Sequence, residues 1–165
     1  MTEWKRLVEE AFVRQKRGAA SIGDPQPAPP PAGSTELEIC QAESRCGVVM
    51  DSEYRAFLRS CNGWDGFGDD WYLYNASELG AQGVWADGDA LLVEYLASEQ
   101  DGKLVAPQGT RLLLVGVSKF SARFLVAVFS TTPAQDPVRY FDCQSGTDIG
   151  YSSFEMWMVE QIDYI

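Results

Sequence analysis

The chain has 165 residues, of which 45% are apolar and 12% aromatic, a size and composition typical of one folded domain and not of a disordered protein. It contains no histidine, which excludes Ser-His-Asp and Cys-His catalysis, histidine metal sites and histidine pH switches. The formal net charge is −11, and an acidic protein repels nucleic acid and anionic membranes but attracts basic partners.

The acidic charge is concentrated in the second part of the chain. Residues 1–33 carry five Lys/Arg and four Asp/Glu, whereas residues 34–165 carry eight and twenty. This excess either steers a basic partner towards the domain or serves solubility alone. No segment reaches the ~18 apolar residues of a membrane span, and no signal peptide is recognisable at the N-terminus. We therefore expect a cytoplasmic protein that has no membrane partner.

The N-terminal segment, residues 1–23, is predicted to contain an amphipathic helix up to about residue 17. Its apolar residues recur at steps of three and four and form one face: Trp4, Leu7, Val8, Ala11 and Phe12. We expect this face to pack on the domain's own core, although a helix that docks on a partner would show the same pattern.

Residues 24–33 form a proline-rich linker between the N-terminal segment and the main domain. Five of these ten residues are proline, so the segment should be extended and irregular. A spacer is the expected role, although a polyproline-binding module could also recognise such a sequence. The main domain then comprises residues 34–165.

Two short helices are predicted at the start of this domain. Thr35 and Glu38 have the spacing of a capping box, and Gly47 suits a left-handed C-cap. Asp51 is a good N-cap for the second helix, and Asn62-Gly63 should end it. The second helix has one apolar face, formed by residues at steps of three and four: Tyr54, Phe57, Leu58 and Cys61.

The motifs of this region resemble the SUKH superfamily, which includes bacterial toxin-immunity proteins and yeast regulators of cell-wall synthesis. The frame reads E-S-R-x-G-V, then D-S-E-Y-R-A-F-L, then C-N-G-W. The matching residues are Glu43, Gly47, Val48, Met50, Tyr54, Arg55, Phe57, Leu58, Asn62 and Gly63. The family commonly has Leu-Pro before the second helix, where this chain has Met50-Asp51. The later runs V-R-Y-F-D and S-S-F-E-M-W-M extend the resemblance over roughly residues 34–165.

The remainder of the domain is predicted to alternate between strands and helices. A short strand is expected at Trp71–Tyr74, a loop at Gln82–Gly88, and a helix from Asp89 to near Gly102. The nearly continuous apolar runs Arg111–Val117 and Arg123–Phe129 are typical of buried central strands that pair across the Ser118–Ala122 turn.

The C-terminal part is predicted to complete the sheet and to cover it with a helix. Val138–Cys143 should be a strand, and Thr147–Gly150 a further short one. Ser152 and Glu155 form a second capping box, which begins a helix with Trp157 and Met158 in the core. The predicted fold class is α+β: a mainly antiparallel sheet flanked by N- and C-terminal helices, as in the SUKH superfamily.

The four cysteines show no C-x-x-C pair. Cys40 and Cys61 fall on apolar faces of the predicted helices, and we expect them to be buried, reduced thiols.

One loop, residues 62–74, combines acidic and aromatic residues with glycines: Trp64, Asp65, Phe67, Asp69, Asp70 and Trp71. Clustered carboxylates suit calcium, but the spacing does not match an EF-hand. A carboxylate pair could also serve glycoside hydrolysis. In a protein-binding patch, the aromatics would supply contact area and the acids would meet Lys or Arg. The structural alternative is a turn whose aromatics fold inward and whose acids are solvated.

A second acidic group contains Asp87 and Asp89, together with Glu94, Glu99 and Asp101. A solvated helical face is one interpretation, and Asp87 and Asp89 are also candidates for partner binding. The sequence shows no glycine-rich phosphate loop, no nucleophile with a base and no metal constellation, so we predict no cofactor, metal or catalysis. The scattered Lys and Arg residues of the main domain disfavour nucleic acid as a partner.

The resemblance implies an immunity protein that binds a cognate toxin and covers its active site or substrate channel. The acidic charge would favour a basic toxin. The alternative is a non-catalytic scaffold or regulator of endogenous partners, as in the eukaryotic relatives. An enzyme that uses carboxylates, such as a glycoside hydrolase, is a third hypothesis. The sequence predicts neither the oligomeric state nor the identity of the toxin.

Overall fold

A computed structural model describes residues 3–68, 70–97, 104, 108–130, 139–144 and 147–164. The helices in these ranges are α1 Glu3–Ile22, α2 Glu36–Cys46, α3 Ser52–Ser60, α4 Val84–Ala97 and α5 Phe154–Asp163. The strands are β1 Trp64–Phe67, β2 Trp71–Leu73, β3 Thr110–Ser118, β4 Phe124–Ser130, β5 Arg139–Gln144 and β6 Thr147–Tyr151. None of the described helices combines the length and apolar character that a membrane span requires.

The six strands form one antiparallel sheet in the order β1 to β6, so each strand pairs with its neighbours in sequence. The longest pairing joins β3 to β4, with Leu113 opposite Ala127 and Thr110 opposite Ser130. Helices from both ends of the sequence flank this sheet. The predicted α+β class is therefore confirmed.

The two faces of the sheet are covered by different helices. On the first face, Tyr54 of α3 lies 5.9 Å from the ring of Phe129 and 6.2 Å from that of Tyr140. On the second face, Tyr95 of α4 lies 5.6 Å from Phe124. Since neighbouring residues of a strand point to opposite faces, the continuous apolar runs of β3 and β4 reflect burial on both sides.

The N-terminal helix α1 belongs to the core of the first face. Trp4 packs against Phe57 of α3 and Phe154 of α5, each with a ring-centroid distance of 5.8 Å, and Val8 and Ala11 are buried. This confirms the expectation that α1 packs on its own domain. The helix extends beyond residue 17 to Ile22, since the intervening residues include the strong helix formers Ala19 and Ala20.

The proline-rich linker has no regular secondary structure, as predicted. Its end is held against α3 by backbone hydrogen bonds, from Ser34 N to the Leu58 carbonyl at 2.7 Å and from Asn62 N to the Ala32 carbonyl at 3.3 Å. A side chain at Gly33 would overlap the Arg59 carbonyl. The linker can therefore pass over the end of α3 only because Gly33 lacks a Cβ atom.

The predicted helix caps of α2 and α3 are confirmed. Thr35 and Glu38 form both hydrogen bonds of the capping box, and Gly47 ends α2 with φ of 64°. Asp51 caps α3 by accepting from Glu53 N at 2.8 Å and Tyr54 N at 2.9 Å. These signals are local in sequence, so they operate wherever the helix packs.

The start of α5 lies one residue later than predicted. Ser153, in an extended conformation, accepts the hydrogen bond from Met156 N at 3.2 Å. Ser152 instead places its hydroxyl near the sulfur of Met156. The interior face predicted for this helix is confirmed, since Trp157 and Met158 are both fully buried.

Two predicted loops are corrected by the structure. Residues 64–67 form β1, which pairs with β2 through Trp64 and Leu73. Helix α4 begins at Val84 and not at Asp89, since the indole N–H of Trp85 donates to the Leu114 carbonyl at 2.9 Å and anchors its first turn to the sheet. Glycine at position 88 disfavours a helix in isolation, but contact with the sheet overrides that preference.

The cysteine prediction is correct for Cys61 and wrong for Cys40. Cys61 is buried, whereas Cys40 is exposed, with its sulfur 3.9 Å from a guanidinium nitrogen of Arg55. Burial raises the pKa of the Cys61 thiol to about 12. All four cysteines are free thiols. Helical periodicity identified a face for Cys40, but the described elements leave that position of α2 exposed.

Candidate protein-docking surface at the turn edge of the sheet

Two turns meet at one edge of the sheet and bring the predicted residues Asp65 and Asp70 against the β3–β4 turn. Trp71, the first residue of β2, pairs with Ser118, the last residue of β3. The backbone N–H of Lys119 donates to the Asp70 carbonyl at 2.8 Å. We call this surface, formed by the β1–β2 and β3–β4 turns, the turn edge.

The three aromatic residues of the predicted patch point into the core and not towards a partner. Trp64, Phe67 and Trp71 are all buried. Trp157 of α5 lies 5.7 Å from the ring of Phe67 and makes an edge-to-face contact with Trp71 at 5.3 Å. Their prediction as partner-binding residues is therefore corrected: Phe67 and Trp71 pack against α5, and Trp64 packs against Phe67 at 5.2 Å, as the structural alternative described.

The acidic residues of the same loop stabilise the turn edge. Asp65 is exposed and pairs with Lys119. Asp70 accepts a hydrogen bond from the Ser118 hydroxyl at 2.6 Å. Asp69 lies outside the described residues. In the part of the chain that the structure describes, no three Asp, Glu, Cys or His side chains are grouped to hold a metal ion.

Phe120, at the tip of the β3–β4 turn, is 84% exposed. The Ser118 hydroxyl accepts from Phe120 N at 3.3 Å and from Ser121 N at 3.0 Å, and Ser118 N donates to the Arg123 carbonyl at 3.0 Å. The ring is therefore presented on an ordered turn. The sequence analysis missed this residue, although a Phe within a polar Ser-Lys-Phe-Ser turn is a recognisable signal.

A groove of about 540 Å³ lies between α4 and the β3–β4 hairpin, whose turn carries Phe120. Its lining includes the exposed apolar residues Val84 and Leu91, which face the less exposed Val117 and Phe124. The predicted residue Asp87 also lines it and is exposed. Large apolar residues seldom remain open to solvent beside one another unless they contact a partner. The predicted residue Asp87 therefore lies beside an apolar surface that the sequence analysis did not predict.

Asp89, the other residue predicted on α4, does not line the groove. It is half-buried, and burial raises the pKa of its carboxyl. Its charge also contributes to the raised pKa of Cys46, which lies at the end of α2. Asp89 therefore faces away from the turn edge, and the two acidic residues of α4 do not act as one patch.

A polar cleft of about 320 Å³ lies on the other face of the turn edge. At its base, the buried carboxylate of Asp142 accepts two hydrogen bonds from Arg123, one of them from Nε at 3.2 Å. The guanidinium lies over the ring of Trp71 at 5.0 Å. Since a buried charge is tolerated only when it is paired, this arrangement accounts for Asp142 without a ligand.

Two further polar pairs at the cleft are also hydrogen-bonded within the protein. Tyr151 donates to Glu160 at 3.1 Å, and Trp71 Nε1 donates to Gln161 Oε1 at 3.3 Å. Burial and the hydrogen bond to Glu160 raise the pKa of Tyr151. The tyrosine is therefore protonated at neutral pH and does not serve as a base there.

A scan against protein-family models finds no match to this chain, and a search of curated proteins finds no match either. The resemblance to the SUKH superfamily thus stays a prediction. The geometry that bears on function is the turn edge itself, with its exposed ring, its carboxylates and its apolar groove.

Proposed function

We propose that this chain is an immunity protein of the cytoplasm, which binds a cognate bacterial toxin and covers its active site or substrate channel without catalysing a reaction. The observation that carries the proposal is the exposed ring of Phe120 at the turn edge. It lies between Lys119, which pairs with Asp65, and Ser121, which lines the groove with Asp87. An aromatic anchor within a polar rim is typical of protein-binding hot spots.

Electrostatic attraction supports a basic toxin as the partner. Residues 34–165 carry twelve more acidic than basic residues, and among the described residues Asp87 and Glu94 have no ion-pair partner. Charge of one sign raises the association rate with an oppositely charged partner by about 10- to 1,000-fold, and salt weakens this effect. The resemblance to SUKH proteins supplies the toxin as the class of partner.

The proposal is tested by mixing the protein with the toxin encoded beside it and measuring affinity by calorimetry. We expect a tight complex whose affinity falls between low and high salt. Phe120→Ala should weaken it by about tenfold or more, the effect of losing a hot-spot side chain. The control is Leu37→Ala on α2, since Leu37 is 67% exposed and α2 adjoins the opposite end of β3 through a hydrogen bond from Arg111 to the Cys46 carbonyl.

Each result has a defined meaning for the proposal. Absence of any complex with the neighbouring toxin would overturn it. Equal losses for Phe120→Ala and Leu37→Ala would remove the turn edge as the contact surface. A complex whose affinity is the same at low and high salt would remove the electrostatic part of the mechanism.

A further inference from the structure

One stripe of α4 faces the groove and carries two kinds of residue. The helix contributes its lining residues at steps of three and four: Val84, Asp87, Gly88, Leu91, Glu94 and Tyr95. Val84 and Leu91 are 58% and 55% exposed. A helix of a folded protein normally buries such a stripe against its own core, but the described residues leave the outer half of this one open.

The opposite wall of the groove is formed by the β3–β4 hairpin, which contributes Val117, Ala122 and Phe124. Both strands are interior strands of the sheet, since β3 also pairs with β2 and β4 also pairs with β5. Their backbone groups are therefore committed to neighbouring strands. An extended peptide could not add to the sheet here, whereas a helix satisfies its own backbone hydrogen bonds and needs only side-chain contacts.

The charges at the groove define the partner more closely. Asp87 and Glu94 are exposed and seven residues apart, which places them two turns, or about 10 Å, apart along α4. The basic groups beside the groove are already paired: Arg123 binds Asp142, and Lys119 binds Asp65. The rim of the groove is thus negative on its helical side.

We propose that this groove binds an amphipathic α-helix of the partner protein. Apolar side chains at steps of three and four fill the space between Leu91 and Phe124, and two Lys or Arg residues about two turns apart contact Asp87 and Glu94. The inference rests on the proposed function, because the toxin is the protein that supplies this helix.

The probe is a fluorescein-labelled synthetic peptide with leucines along one helical face and two flanking lysines seven residues apart, titrated with the protein in a fluorescence-anisotropy assay. We expect saturable binding that weakens with salt, and no binding of a scrambled peptide. Leu91→Asp should weaken binding by about tenfold or more. Its matched control is Val93→Asp, because Val93 is 59% exposed on the same helix but does not line the groove.

A second pair of variants tests the charges. Glu94→Lys should lower the affinity for the peptide severalfold, whereas Glu9→Lys, on the exposed face of α1, should leave it unchanged. Both substitutions alter the net charge equally, so only a local contact separates them. Circular dichroism of each variant shows that a loss of binding is not a loss of folding.

The outcomes separate this inference from the proposed function. If the peptide does not bind, or binds wild type and Leu91→Asp equally, the inference is overturned. The proposed function would still stand if the toxin formed a complex with the wild-type protein and with Leu91→Asp. If the peptide binds as expected but no toxin complex forms, the proposed function fails and the groove remains a helix-binding site. A wild-type dimer that Leu91→Asp dissociates, as measured by light scattering, would assign the groove to a second copy and overturn the inference.

Discussion

Gly88 lies where α4 packs closely against Tyr74 and β3. A Cβ atom at this position would overlap the hydroxyl of Tyr74 and approach Leu114 Cδ2 to 3.0 Å. Glycine normally weakens a helix interior by about 1 kcal/mol relative to alanine. The close packing of α4 on β3 therefore explains a residue that local propensity disfavours.

Gly88→Ala should lower the free energy of unfolding by about 1–3 kcal/mol, because overpacking outweighs the gain in helix propensity. Adding Tyr74→Phe removes the overlapping hydroxyl, so the cost of Gly88→Ala should be smaller in that background. Urea denaturation of wild type, Gly88→Ala, Tyr74→Phe and the double variant measures the coupling between the two substitutions. Equal costs in both backgrounds would show that the hydroxyl of Tyr74 is not the obstacle.

Glu155 illustrates a charge that opposes folding. Burial raises the pKa of its carboxyl, and the nearby charges of Glu3 and Glu53 raise it further, while Arg6 partly offsets them. These three glutamates belong to the first turns of α1, α3 and α5. A carboxyl whose pKa is higher in the folded than in the unfolded state is destabilising once it ionises.

Glu155→Gln should therefore stabilise the protein at pH 7 by roughly 0.3 kcal/mol, the size of a like-charge contact at a surface. The gain should disappear as the pH falls below the unfolded pKa of about 4.3, where the wild-type carboxyl is also protonated. Thermal unfolding between pH 3 and pH 7 measures this difference. Glu9→Gln serves as the control, and a gain that grows towards low pH would contradict the argument.

At the scale of elements, α3 is joined to the sheet by its own N-cap. Besides accepting two backbone N–H groups of α3, Asp51 accepts from the hydroxyl of Tyr140 on β5 at 2.6 Å. Burial, together with the charge of Asp51, raises the pKa of Tyr140 far above its usual value. Asp51 therefore both caps α3 and positions this helix on the sheet.

Asp51→Ala should cost about 2–3 kcal/mol of unfolding free energy, since it removes the cap and leaves the hydroxyl of Tyr140 without its acceptor. Thr35→Ala, which removes only the capping box of α2, should cost about 1 kcal/mol. Chemical denaturation compares the two. Equal losses would mean that the contact between Asp51 and Tyr140 contributes nothing beyond the cap.

At the scale of the whole molecule, the N-terminal segment and the main domain share one core. Trp4 of α1 packs on Phe57 and Phe154, although the proline-rich linker separates them from Trp4 in the sequence. The amide of Gln15 also donates to the Gly66 carbonyl, which joins α1 to β1. A helix that contributes a buried tryptophan is not free to leave the domain and dock elsewhere without a large cost.

Trp4→Ala should lower the free energy of unfolding by about 3–5 kcal/mol, the usual cost of removing a large buried aromatic side chain. Ile22→Ala, at the exposed end of the same helix, is the control, since Ile22 is 72% exposed and its loss should cost less than about 0.5 kcal/mol. Guanidinium denaturation provides both values. Similar small losses would show that α1 is not part of the cooperative unit.

The amino-acid sequence by itself determined the features that depend on neighbours along the chain. The capping box of Thr35 and Glu38, the Asp51 cap and the left-handed Gly47 were all predicted, because their partners lie within four residues. The apolar runs of β3 and β4 were also recognisable, since a strand that is buried on both faces has apolar residues at nearly every position. These signals suffice for an α+β class.

Only the tertiary structure decided which side chains reach the surface at the turn edge. Phe67 and Phe120 both belong to segments that the sequence predicts as a loop or a turn, yet the first is buried against Trp157 of α5 and the second is open to solvent. The difference arises from packing against α5, which is distant in sequence. The groove beside α4 likewise depends on how Gly88 lets the helix approach β3, a contact between separate elements that no local pattern encodes.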